Sequence, residues 1–308
     1  MRINLDTFQW SDVSVIDLTT IDEDLRGFAS GFQGGQHGYL VPYSKGFGDY
    51  SSKVVRFSLV NFVPEEVEVL DLRKKNDQLM GFTGGFSYAT YAVFVPYQNG
   101  RSDVNFRSRS QFGTITRVNM NDFTVNGIKT LDVTSVYRKN TPDFPDRDLR
   151  GFVSGFCAGS FMFLVPLFNG VWHGKMARID MRDFDMLADA QEAGQSTDFV
   201  TGFKGVQELD LQNFHEGLAG FSGGFIRKRP SPSEDFYDRY RLRFIYASGM
   251  NKDQSLLVHV LKSVESDSQG AVMPEGGSQR SGEEESIEEG SLPETSEGKL
   301  ERDAEVRS

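Results

Sequence analysis

The chain holds a single cysteine, Cys157, in 308 residues. No disulfide can form within it, and a thiolate metal cluster is excluded. The flanking Gly155, Phe156 and Ala158 mark Cys157 as a small core residue rather than a nucleophile. Histidine is almost as scarce: His37, His173, His215 and His259 lie far apart, without metal-ligand spacing. No apolar run approaches the ~18 residues that cross a bilayer, and Met1 to Asp6 lacks the apolar stretch of a secretory signal. No membrane association is expected, and an intracellular location follows. Nucleophile-elbow, P-loop and Rossmann glycine patterns are also missing, so no cofactor is expected.

Positive charge is not in surplus either. The net charge is −11, and thirteen Asp/Glu against four Lys/Arg between Glu265 and Ser308 account for nine of those charges. The remaining body is near neutral, without the basic footprint that phosphate backbones demand, so no nucleic-acid partner is expected. Residues 265–308 contain no aromatic side chain and runs such as Glu283-Glu284-Glu285. Such a segment cannot bury enough apolar surface to offset its ordering entropy and reads as a disordered acidic tail.

What the chain does have is repetition. Gly-Phe-x-x-Gly-Phe occurs at Gly27 to Phe32, Gly81 to Phe86, Gly151 to Phe156 and Gly220 to Phe225. Self-similarity over tens of residues marks stacked copies of one supersecondary unit. Around each copy lie further apolar runs in fixed order. A second run ends in Val-Pro at Val41-Pro42, Val95-Pro96 and Val165-Pro166. A third starts at an arginine and closes on phenylalanine: Arg2 to Phe8, Arg56 to Phe62, Arg117 to Phe123, Arg178 to Phe184. A fourth carries an aspartate at Asp17, Asp71, Asp132 and Asp210.

Two-residue alternation and the wealth of Val, Ile, Phe and Tyr make all four runs strands. A helical turn or two is expected only around Met186 to Glu192. The fold class is therefore all-β, with four-stranded antiparallel units and glycines where backbones approach closely. Innermost propeller strands need that composition. Repeats of about 1–51, 52–113, 114–175 and 176–264 are expected, followed by the tail at 265–308. The closing phenylalanines are 54, 61 and 61 residues apart. That exceeds a common blade of about 40–50 residues, the surplus lying in loops.

The strand order resembles the YVTN/NHL type of β-propeller blade, most closely at Lys53-Val54-Val55-Arg56-Phe57 and Lys175-Met176-Ala177-Arg178-Ile179-Asp180. The glycine pairs Gly34-Gly35, Gly84-Gly85 and Gly223-Gly224 look more distantly like kelch blades. The resemblance implies a β-propeller over about residues 2–262 and no particular activity. Two arrangements stay open: a ring of four blades, with the chain's two ends completing one sheet, or a fragment of a larger ring able to self-associate.

Residues present in every copy, the four aspartates and the four arginines, are expected to be structural. Function in such folds resides in unrepeated loops. The loops joining strands four to one and two to three should share a face, with partner-binding residues at Asp22, Asp24, Lys74, Arg101, Arg107, Arg109, Arg138, Trp172 and His173. The expected role is a non-catalytic binding or scaffolding module with a protein partner. The alternatives are a hydrolase or lyase acting at a central channel, or a partial gene product without independent function. The inner motif would offer such a channel chiefly Gly, Phe and the small residues Ala29, Ser30, Thr83, Ser154 and Ser222.

Overall fold

A computed structural model describes residues 1–46, 48–101, 110–136, 148–195, 205–227, 244–249 and 257–259. The chain separates into two units, Met1–Ser263 and Val264–Ser308; the second, with the expected acidic tail, lies outside the described residues. The first unit's described elements are mostly antiparallel strands, with short 3-10 turns and one α-helix. β1 (Arg2–Ile3) and β2 (Val13–Ser14) form a two-stranded sheet at the N-terminus.

The first four-stranded sheet has the order β3 (Phe28–Gly34), β4 (His37–Pro42), β7 (Lys53–Ser58), β8 (Val67–Asp71). A small hairpin, β5 (Ser44–Gly46) and β6 (Asp49–Tyr50), sits in its β4–β7 connection. The second sheet runs β9 (Phe82–Tyr88), β10 (Tyr91–Pro96), β11 (Thr114–Asn119), β12 (Ile128–Asp132). The third runs β13 (Phe152–Ala158), β14 (Phe161–Pro166), β15 (Lys175–Asp180), β16 (Val206–Asp210). A fourth has three strands, β17 (Phe221–Arg227), β18 (Phe244–Gly249) and β19 (Leu257–His259). The repeat boundaries at 51/52 and 113/114 thus fall between second and third strands of a sheet, and that at 175/176 falls within β15.

Each run does what its composition demands. Proline ends the second strand, where its missing N–H breaks no ladder. The register of strand one slips at the third motif position in all four sheets, between Phe28 and Ser30 in the first. This recurring bulge bends the inner strand. The sheets then stack in chain order, β3 against β9, β9 against β13, β13 against β17.

Glycine is required at the crossings. An added Cβ on Gly84 would come within 2.8 Å of the Ser154 Cα. At Gly85 and Gly155 it would collide with the Phe32 and Phe86 rings of the preceding sheet. The motif's glycine and its second phenylalanine are therefore two halves of one inter-sheet contact. Ring packing seals it: Phe32 stacks on Tyr39 at 5.3 Å and meets Phe94 edge-on at 5.7 Å.

Arginine links the outer halves. Arg2 of β1 lies 5.1 Å from the Phe62 ring, Arg56 of β7 lies 4.3 Å from Phe123, and Arg117 of β11 lies 4.7 Å from Phe184. Each of these three arginines thus meets the closing phenylalanine of the next sheet. Arg56 also forms a bidentate pair with Glu68, at 2.7 and 2.9 Å. Arg117 bonds Asp185 and lies 3.8 Å from the Tyr91 ring.

One expected arrangement needs revision. Among the described residues the chain ends do not complete one sheet: β18 has β17 on one side and β19 on the other, while β1 pairs only with β2. The C-terminal segment already supplies a third strand, so no edge of β18 is left for β1. The helical turn or two expected around Met186 to Glu192 is present as a nine-residue helix, α1 (Phe184–Glu192), with Phe184, Leu187 and Ala188 buried. Its Gln191 amide pairs with the backbone N–H and C=O of Asp132 at 2.9 and 2.8 Å, closing the outer edge of β12.

Candidate interaction surface

The recurring aspartates close their fourth runs in Asx turns. Their carboxylates accept from the N–H groups of Thr19, Arg73, Thr134 and Gln212 at 3.0, 3.1, 3.0 and 3.0 Å. Shortly before the first strand of the next sheet lies a buried leucine (Leu25, Leu79, Leu149, Leu218). A glycine follows in the left-handed region: Gly27, Gly81, Gly151 and Gly220 have φ between 69 and 75°. Three of these glycines donate across an interface, Gly81 to the Ser51 carbonyl, Gly151 to Phe112 and Gly220 to His173. Because each acceptor lies in the strand-two-to-three loop of the preceding sheet, both families of loops share one face.

The unrepeated residues of that face begin with a charge cluster. Lys53 Nζ lies 2.6 Å from Asp22 and 3.2 Å from Asp24, and Lys45 Nζ lies 2.8 Å from Asp24 and 3.2 Å from Asp49. Hydrogen bonds from Lys45 and then Lys53 hold the Asp24 carboxyl down to about 2. Lys45 occupies the place filled by asparagine in the next two sheets. There the Asn99 and Asn169 amides donate to the carbonyls of Gln78 and Asp148, at 3.3 and 2.8 Å. Asp22 and Asp24 were legible as candidates; Lys45 and Lys53 were not, since the partners that tie them to Asp22 and Asp24 lie 21 to 31 positions away.

Other candidates scatter over the face. Lys74 is exposed at the end of a 3-10 turn, and Arg101 pairs with Asp77 at 2.9 Å. Trp172 is 44 % exposed, 5.2 Å from Phe168 in a T-shaped contact and packed over Gly220. Val171 and Phe214, on neighbouring loops, are exposed as well. Arg107, Arg109 and Arg138 lie outside the described residues.

His173 does not belong to this surface. It is 2 % exposed, with Nε2 3.4 Å from the Gly151 carbonyl and its ring 6.1 Å from Phe152. Burial lowers its pKa to about 4. The chain alternates direction through the loop, turning Trp172 out and His173 in. Phe112 takes the same position one sheet earlier, packed on Phe82 at 5.5 Å; that correspondence is the signal that marks the position as inward.

Sequence reasoning also passed over three tyrosines beside the charge cluster. Tyr43 packs on Tyr50 at 5.9 Å and on Tyr97 at 6.1 Å. Burial raises all three hydroxyl pKa values, that of Tyr97 to about 12. Tyr43 and Tyr97 each follow the Val-Pro of strand two, which could have paired them.

On the inner strands, the Ser30 hydroxyl donates to the Thr83 carbonyl and the Thr83 hydroxyl to the Phe152 carbonyl, both at 2.9 Å. These groups tie sheet to sheet. Burial pushes the Cys157 thiol up to about 12, away from the reactive thiolate. Among the described residues no three His, Cys, Asp or Glu side chains converge as a metal site, and no helix is long and apolar enough to cross a membrane. Neither the protein-family models nor the curated proteins include a match to this chain.

Proposed function

We propose that the stacked sheets form a β-propeller-type body, akin to YVTN/NHL blades, that serves as a non-catalytic binding or scaffolding module for a protein partner. One observation carries the reading. Recurrent Gly, Arg, Asp and most recurrent Phe are engaged within or between sheets, whereas the ion-pair network Lys45/Lys53–Asp22/Asp24/Asp49 as a set and exposed Trp172 belong to single sheets and share the loop-bearing face. An aromatic anchor and charged groups on one face are how a protein surface is recognised, the charges setting orientation and encounter rate. The acidic segment 265–308 is proposed as an accessory to capture. A channel enzyme is the weaker reading, because the Ser30 and Thr83 hydroxyls are committed to neighbouring carbonyls.

The test has two parts. A partner recovered by proximity labelling in the native host is purified and titrated against the chain. Trp172→Ala and the Lys45→Glu/Lys53→Glu pair should each weaken binding by about tenfold or more, roughly 1.4 kcal/mol, with circular dichroism unchanged. Unaltered affinity in both variants would overturn the face assignment. Removal of residues 265–308 should leave cooperative unfolding intact; loss of folding would refute an accessory tail.

A further inference from the structure

The N-terminal pair is half of a sheet. Arg2 pairs with Ser14 in β1–β2 as Arg56 pairs with Glu68 in β7–β8, and it covers Phe62 as Arg56 covers Phe123. β1 and β2 therefore act as third and fourth strands of a sheet preceding the first, with no first or second strand beside them among the described residues. Two features record that gap. Among the described residues β1 is paired along one edge only. Leu5, Phe8, Trp10 and Val15 are exposed, Trp10 to 93 %.

The opposite end carries the missing half. β17–β18 is a first-and-second-strand hairpin, and a Cβ on Gly223 would meet nothing within 4 Å, unlike one on Gly84. β18 holds only the three-residue β19, in a sheet without a fourth strand among the described residues. Register makes the two third strands interchangeable. Tyr246 faces His259 as Tyr39 faces Arg56, so Arg2 can stand opposite Tyr246. Five third strands thus share four hairpins.

We propose that this chain associates head to tail with a second copy. The partner's β17–β18 hairpin pairs with β1 in place of its own β19, completing a four-stranded sheet over Leu5 and Phe8. A second copy is the occupant because the ends of one chain stand in separate sheets, and because the new contact repeats the inner-strand packing made at three internal interfaces. Donor and acceptor are different surfaces, so the association is heterologous and can grow into rings or longer assemblies. The inference rests on the stacked-sheet reading, not on the partner-binding face.

Disulfide capture in a Cys157→Ser background tests it. Chains carrying Arg2→Cys and chains carrying Tyr246→Cys are mixed under mild oxidation. A covalent dimer should form in the mixture and in neither alone, and Phe8→Asp on the Arg2→Cys chain should cut its yield at least tenfold. Tyr39→Cys with Arg56→Cys in one chain reports whether the sheets pair as described. With that control closed, two results overturn the proposal: no dimer in the mixture, or a double Arg2→Cys/Tyr246→Cys chain that closes only upon itself. An open control overturns the stacked-sheet reading itself.

Discussion

The junction between the second and third sheets and the junction ahead of the first sheet are written in the same sequence pattern. At the former, Phe184 is 0 % exposed, beneath Arg117 and beside Leu187, Ala188 and Val206. At the latter, the arginine-to-phenylalanine contact survives between Arg2 and Phe62, but one unit further out Phe8, which fills the same motif position as Phe184, is 72 % exposed. Identical motif residues thus contribute very differently according to whether a sheet precedes them. Sequence pattern specifies the contact a residue can make; neighbours determine whether it is made.

The sharpest way to break this comparison is at the phenylalanines. Phe184→Ala removes a fully buried ring and should cost about 3–5 kcal/mol, read as a lower urea midpoint at unchanged slope. Phe8→Ala in dilute monomer should stay within about 0.5 kcal/mol. Equal losses at both positions would mean that the N-terminal pair is packed in solution as well as the interior.

The arginines come next. Arg117 is buried between Tyr91 and Phe184 and bonded to Asp185, which holds that carboxyl below its usual range. Arg117→Met should lose about 2 kcal/mol. Arg2→Met, with one ring contact at 5.1 Å, should lose less than about 1 kcal/mol. Thermal unfolding of the two variants side by side gives the ratio.

Glycine offers a smaller contrast. Gly84→Ala forces a methyl group against Ser154 Cα and the Val153 carbonyl, which are backbone and cannot swing away. A cost of about 1–3 kcal/mol is expected. Gly223→Ala meets open space and should be near neutral. A neutral Gly84→Ala would show that the inner strands lie further apart than described.

These contrasts also mark how much could be read from the chain beforehand. Glycine, phenylalanine, arginine and aspartate recur at fixed offsets because each makes a local or next-sheet contact that every copy needs. That made the strands, the four-stranded sheets and the structural role of Asp71 or Arg56 legible. α1 was visible only as a helical turn or two, since its amphipathic face spans three buried residues and its anchors, Lys75, Lys129 and Asp132, lie on earlier sheets. The Lys45/Lys53 cluster was illegible for the same reason. His173 was misplaced because alternation within a loop has no period to follow.

That misplacement supplies the last and smallest contrast, between His173 and its counterpart Phe112. Burial depresses the His173 pKa to about 4, with Lys175 adding to the depression and Asp210 and the Gly151 carbonyl opposing it. The unfolded chain keeps the ordinary value near 6.5, so between the two values unfolding takes up a proton. Stability contributed by neutral His173 is therefore present above about 6.5 and declines as pH falls towards 4. His173→Phe, which installs the residue used one sheet earlier, should gain about 1 kcal/mol over the parent at pH 5.5 relative to pH 7.5. Urea midpoints at the two pH values measure it. If the parent and the variant lost stability in parallel on acidification, the acid sensitivity would belong to carboxylates such as Asp185, which bonds Arg117 and Lys129 at the better-packed junction.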